Sequence, residues 1–197
     1  MTSSLMFQVD EQKQPTVDRG EMTAILHEAK EPYRMLYALL AGCGPMRADA
    51  GREALGLDIR SIYEDFRTLE IVQKAKRGKL QDQMKTKNAD SRHGRLEDLS
   101  EPLAAMLREF VGGRTSGLVF CKPDGSQLVQ RDILKHSLHH ILKKLGLEQG
   151  GFNILRRLTE VPAHPFPGAG RGSQAPGDAD VFCIRPHFQR RSGKEYE

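Results

Sequence analysis

Arginine and lysine carry the chemistry that can be read in this 197-residue chain. Arg47 follows a Gly-rich helix–turn, Gly42-Cys43-Gly44-Pro45. Lys85 lies in MKTKNADSRH, between two stretches of strand character. Arg156 lies in FNILRR, after an apolar helix and a Gly-Gly turn. A guanidinium is planar, permanently charged and able to offer paired hydrogen bonds, so an arginine held at a turn is suited to gripping a phosphate. A lysine is a compact charge on a flexible stem that can also deliver a proton.

Other chemistries have less support. There is no P-loop, GxGxxG or HExxH pattern, so nucleotide hydrolysis and zincin chemistry are not indicated. Nothing resembles a nucleophile elbow. His136, His139 and His140 stand at i, i+3 and i+4 of a predicted helix. No carboxylate or cysteine occupies a neighbouring ligand position, so we expect helix surface there, with no metal and no cofactor. Cys43, Cys121 and Cys183 are odd in number, far apart and without a CxxC pair, which fits reduced thiols. The opening MTSSLMFQVDEQKQ lacks a basic region followed by an apolar core. No apolar run approaches the ~20 residues of a bilayer span. The expectation is a cytoplasmic protein with no membrane partner.

The charge distribution points to a polyanion. The net charge is +4 and the pI about 9.0. Residues 73–87, QKAKRGKLQDQMKTK, concentrate Lys74, Lys76, Arg77, Lys79, Lys85 and Lys87 against the single acid Asp82. Lys143, Lys144, Arg156 and Arg157 form a second basic cluster. Such patches bind phosphates by releasing condensed counterions; the alternative is a solvated lysine face.

These residues need elements to position them. Asp18 and Glu21 resemble a capping box, and Met22, Ile25, Leu26 and Ala29 follow at helical spacing. Pro32 opens a second helix through Tyr33, Leu36, Tyr37 and Leu40, stopped by the Gly42–Pro45 group. Leu69-Glu-Ile71-Val72 reads as a strand, Lys76-Arg-Gly78-Lys79 as its turn, and residues 92–99 contain a further strand. Together they predict one small antiparallel sheet bearing the basic patch. Ser100-Glu-Pro102 starts a helix that Gly112-Gly113 ends. Leu118-Val-Phe120 reads as a short strand before the Pro123-Asp-Gly125 turn. Ile133, Leu134, Leu138, Ile141, Leu142 and Leu145 form a last amphipathic stripe. Residues 161–178 are rich in Pro and Gly without apolar periodicity.

In order and spacing these segments resemble the catalytic domain of the tyrosine recombinases, the phage-integrase family. TVDRGEMTAILHEAKEPYRMLYALLAGCG looks like that domain's two opening helices, and GPMR…EALGLDI like its first-arginine motif. KTKNADSRHGRLEDLSEPLAAML is similar to the hairpin lysine with the strand and helix after it. GLVFCKPDGSQLVQRDILKHSLHHILKKLGL is similar to the stretch before the second arginine. The resemblance implies an α+β, mainly α fold with a small antiparallel sheet. It implies DNA strand breakage and rejoining through a phosphotyrosyl intermediate, without metal or nucleotide cofactor. Arg47 and Arg156 would clamp the phosphate and Lys85 would be the general acid. Lys74, Lys76, Arg77, Lys79, Lys87 and Arg157 would contact double-stranded DNA, shared with other recombinase subunits.

The sequence departs from that pattern at three places. Glu53 stands six positions after Arg47, where the family's acid usually stands three after its arginine. Asn153 stands where the family's His-x-x-Arg motif has histidine, and an amide does not exchange a proton near neutral pH. The match ends at Arg157; His187 and Tyr196 have about the family's histidine–tyrosine spacing, but RPHFQRRSGKEYE otherwise matches little. We therefore expect a disordered arm over 1–16, a partial catalytic domain over 17–158 and a disordered Pro/Gly-rich tail over 159–197. The domain would be truncated, lacking the preceding DNA clamp and the C-terminal motif, as a frameshifted or decayed reading frame would leave it. The alternative is a noncatalytic basic module that binds DNA or recombinase partners.

Overall fold

The computed structural model describes residues 15–42, 50–82 and 95–156. Helix α1 (Arg19–Glu28) opens on a complete capping box. The Asp18 carboxylate accepts from the Glu21 N–H at 2.8 Å, and the Glu21 carboxylate accepts from the Asp18 N–H at 2.8 Å. Its Met22, Ile25 and Leu26 are buried against α2 (Tyr33–Gly42). Helix α2 is apolar all round, and every residue from Met35 to Ala41 is buried, which makes it the central rod of the core.

Helix α3 (Ala50–Leu55) leads through a single 3₁₀ turn, Ile59–Ser61, into the β region. Strands β1 (Ile62–Tyr63), β2 (Thr68–Ile71) and β5 (Arg95–Asp98) form an antiparallel sheet in the order β1-β2-β5, with Leu69 opposite both Ile62 and Glu97. Strands β3 (Gln73–Lys76) and β4 (Lys79–Asp82) form a separate two-stranded hairpin. The single sheet expected from sequence is thus two. Val72 interrupts the run after β2, and Lys74, Lys76, Arg77 and Lys79 belong to the hairpin.

The link between β1 and β2 contains three consecutive left-handed residues, Glu64 (φ 50°), Asp65 (φ 55°) and Phe66 (φ 69°). This backbone is costly for residues with side chains and must be held from outside. Arg108 of α4 (Glu101–Val111) does so. Its Nη2 donates to the Asp65 carbonyl at 2.9 Å and to the Asp65 carboxylate, and its guanidinium lies 5.7 Å from the Phe66 ring centre.

Helix α4 begins at Ser100 as expected, but the Ser100 hydroxyl is buried and finds no hydrogen-bond partner. Backbone shape and Pro102, not a side-chain cap, start this helix. Leu103, Ala104, Leu107 and Val111 face the core. Beyond Gly112, the expected strand at Leu118–Phe120 is present only as isolated bridges, Asp58 to Leu118 and Cys121 to Gln127. The Val119 N–H donates to the Leu57 carbonyl and the Ile59 N–H to the Gly117 carbonyl, both at 2.9 Å, and Arg114 adds side-chain bonds. Its Nε donates to the Val111 carbonyl at 3.2 Å, Nη1 to that of Leu118 at 3.3 Å and Nη2 to that of Val119 at 3.2 Å. Phe110 and Phe120 stack beside it at 5.5 Å.

The last long helix is not uniform. Helices α5 (Gln130–Ile133) and α6 (His139–Lys144) are joined by a π-type segment, Leu134–Leu138, in which the His139 N–H reaches back to the Leu134 carbonyl. The wider turn brings Ser137 and Leu138 into the core. Helix α7 (Asn153–Arg156) closes the described chain against α2. No helix among the described residues is long and apolar enough to cross a membrane.

Candidate nucleic-acid interface

Helix α3 is too short to stand alone and takes its place from two glycine contacts. At its end, Gly56 lies against the hairpin. A Cβ there would stand 2.8 Å from Lys74 Cα and 2.9 Å from the Gln73 carbonyl oxygen. The contact is closed by the Gln73 amide Nε2, which donates to the Gly56 carbonyl at 2.8 Å. Near its start, Gly51 lies against Phe152, where a Cβ would stand 2.9 Å from Cε2 of the ring and nearer still to Cδ2. Backbone thus meets backbone on one side and an aromatic face on the other, an approach that only glycine permits. The result is that the basic hairpin lies against the end of α3 and Phe152, the residue before α7, lies against its start.

The hairpin's tip is built against its own stability. Arg77 and Gly78 make its two-residue loop with φ of 52° and 74°. Both are left-handed, as a type I′ turn requires, and asparagine is far better suited than arginine to the first position. Lys76 and Lys79 face each other directly across the ladder, a like-charge pairing that is unfavourable unless an anion lies between them. Lys76, Arg77 and Lys79 are all exposed.

Between the hairpin, α3 and the α5–α6 helix runs a groove of about 630 Å³. Its cations are Arg52, Arg77, Arg131 and Lys135; among the described residues no carboxylate lines it, and Leu55, Ala75, Leu128 and Leu134 form its apolar floor. His139 borders it and reaches the Gly150 carbonyl at 3.2 Å through Nε2, tying the groove wall to the loop before α7.

Behind this surface lies a buried polar contact. The Tyr37 hydroxyl donates to Ser137 Oγ at 2.8 Å, and the Tyr37 ring lies 6.2 Å from that of Phe152 at 59°. Burial pushes the Tyr37 phenol up to about 12, against the pull of the Ser137 hydrogen bond. On α7, Arg156 is half-buried and Asn153 exposed; the Arg156 Nη1 donates to Asn153 Oδ1 at 3.5 Å. The two polar residues of the NILR motif therefore share one turn and one face.

Of the residues singled out in the sequence, Lys74, Lys76, Arg77 and Lys79 fall on the hairpin, and Arg77 also lines the groove. Asn153 and Arg156 fall together on α7, and Arg156 does not line the groove. Arg47, Lys85, Lys87, Arg157, His187 and Tyr196 lie outside the described residues. The second basic cluster is reduced, because Lys144 is bound to Glu28 at 2.5 Å as a clasp between α6 and α1. That hydrogen bond holds the Glu28 carboxyl below its usual range. Arg52, Arg131 and Lys135 escaped the sequence reading. Arg131 and Lys135 are four apart on the helix, a spacing that puts two cations on one face. Among the described residues no group of three His, Cys, Asp or Glu side chains is placed to hold a metal ion.

No protein-family model matches this sequence. No curated protein sequence matches it either. Among solved structures the fold matches XerA recombinase with a TM-score of 0.51 and 14% identity, over 73% of this chain and 48% of that one. Two structures of XerH site-specific recombinase match with lower scores. The pre-cleavage complex with difH substrate gives 0.46 at 19% identity, over 79% of this chain and 45% of that one. The post-cleavage complex with palindromic difH substrate gives 0.45 at 22%, over 76% and 42%. The described residues have a fold like that of XerA recombinase, mainly helical with small antiparallel sheets. The chain spans less than half the length of each of these three structures.

Proposed function

We propose that this chain is a recombinase-type core that holds double-stranded DNA on the face formed by the hairpin tip, the cationic groove and α7. The observation that carries the reading is the groove with the tip beside it. Four cations line it, next to a tip where like charges oppose and an arginine occupies an asparagine's conformation. A phosphate backbone relieves all of these at once. Helix α7 adds a guanidinium and an amide on one face, two groups that donate to phosphate oxygens.

Within that reading the chemistry is strand breakage and rejoining over the unit 17–158. Attack on a phosphodiester builds negative charge at phosphorus, which guanidinium groups fixed in advance stabilise more than they stabilise the ground state. Arg156 takes one such role, with Arg47 as the second clamp and Lys85 as the acid; the nucleophile lies outside that unit, where His187 and Tyr196 are candidates on their spacing alone. A second reading has its own observation. Asn153 accepts from Arg156 where a proton-exchanging histidine would serve catalysis, which favours a noncatalytic module that binds DNA alone or beside other recombinase subunits.

Suicide DNA substrates separate the two. A covalent protein–DNA adduct that disappears in Tyr196→Phe is expected of the breaking–rejoining reading. Binding that weakens steeply with salt, without an adduct, is expected of the noncatalytic module. Alanine at Arg52, Arg131 or Lys135 should reduce the log–log salt slope by roughly 0.9 each. A chain whose DNA binding is absent or insensitive to salt sinks both readings.

A further inference from the structure

Resting on that reading of Arg156, we infer that Gly51 and Phe152 form a positioning junction that fixes Arg156 relative to the cationic groove, so that both engage one duplex. Helix α7 has four residues and cannot hold its own orientation. Its direction comes from Ile154 and Leu155, both buried, and above all from Phe152, which is 3% exposed and immediately precedes it. One side of the Phe152 ring lies on Gly51, in van der Waals contact with bare backbone. The ring also abuts Tyr37, whose hydroxyl is tethered to Ser137. It is therefore clamped between two groups that cannot retreat. Gly51 is adjacent in sequence to Arg52, a wall of the groove, and Phe152 stands four residues before Arg156. The clearance at residue 51 sets the spacing between the two cationic elements.

Gly51→Ala tests the junction, because the added methyl must push the ring and α7 outward. In the variant without DNA, the backbone amide resonances of Ile154, Leu155 and Arg156 should shift, and adding Phe152→Leu should return them towards their original positions. With duplex DNA, Gly51→Ala should weaken binding about tenfold and reduce the salt slope by roughly 0.9, the loss of one phosphate contact. In an Arg156→Ala background the same substitution should change neither quantity further, whereas a merely destabilising change would act alike in both backgrounds. Unmoved amides, or equal effects with and without Arg156, overturn the junction. Should Gly51→Ala fail to fold, Phe152→Leu alone tests it from the other side, since loosening the stop should reduce the slope only while Arg156 is present. If the amides move but Arg156→Ala binds DNA as the unmodified chain does, the junction stands and the phosphate role of Arg156 falls.

Discussion

The Tyr37 hydroxyl and Ser137 Oγ meet at 2.8 Å across one hundred residues of chain, and both residues are buried. This single bond joins the central helix to the π-type segment. It also fixes the ring on which Phe152 rests.

Replacing Tyr37 by Phe keeps the ring and leaves the Ser137 hydroxyl without its donor. We expect a loss of about 1–2 kcal/mol in urea unfolding. Ser137→Ala should cost a similar amount, and the double variant much less than the sum, because removing both partners leaves nothing buried and unmet.

The same residue makes stability depend on alkaline pH. Its folded pKa, about 12, lies above the ordinary value near 10, so the folded state binds the phenolic proton more tightly. Its contribution is complete below about pH 10 and is lost as pH rises towards 12, a total of roughly 2–3 kcal/mol. Denaturant midpoints measured across that range should fall faster for the unmodified chain than for Tyr37→Phe.

At the hairpin tip, stability and binding should separate. Arg77→Asn places a residue suited to the left-handed conformation in the turn and removes a groove cation. We expect unfolding stability to rise by up to about 1 kcal/mol while DNA affinity falls. A variant that lost both would show that Arg77 is structural.

Arg114 holds the Leu118 and Val119 carbonyls where a strand was expected, and the Val111 carbonyl at the end of α4. Arg114→Ala should cost about 1–2 kcal/mol, and lysine should restore little, because an ammonium cannot reproduce three separated donors. Amide exchange at residues 118–120 should quicken in the variant; unchanged exchange would show that the neighbouring packing suffices.

Local signals were readable in the chain. The Asp18–Glu21 box, the apolar run of α2 and the Ser100-Glu-Pro start all depend on neighbours within a turn or two. What escaped depends on contacts distant in sequence. Alternation marks β2 and β5 but cannot say which strands pair, so one sheet was expected where there are two. Ser137 stands among Ile133, Leu134, Leu138 and Ile141 as a polar residue on an apolar stripe, which hinted at a buried partner without naming Tyr37. Arg52, Arg131 and Lys135 look like scattered surface charges until the groove assembles them. Asn153 and Arg156 were singled out from the family resemblance, and the fold places them one turn apart on α7.

Gly51 and Gly56 contribute no side-chain atoms, yet the basic hairpin lies against one and Phe152, the residue before α7, against the other. Substitution tolerance across this molecule should therefore run opposite to expectation. Charges on the hairpin or along α5 can be redistributed while the surface keeps its character, since a polyanion samples the field of many cations together. The two clearances admit no such exchange. Related sequences that keep this face should vary in where their lysines and arginines stand, and should be alike in the two positions where nothing protrudes.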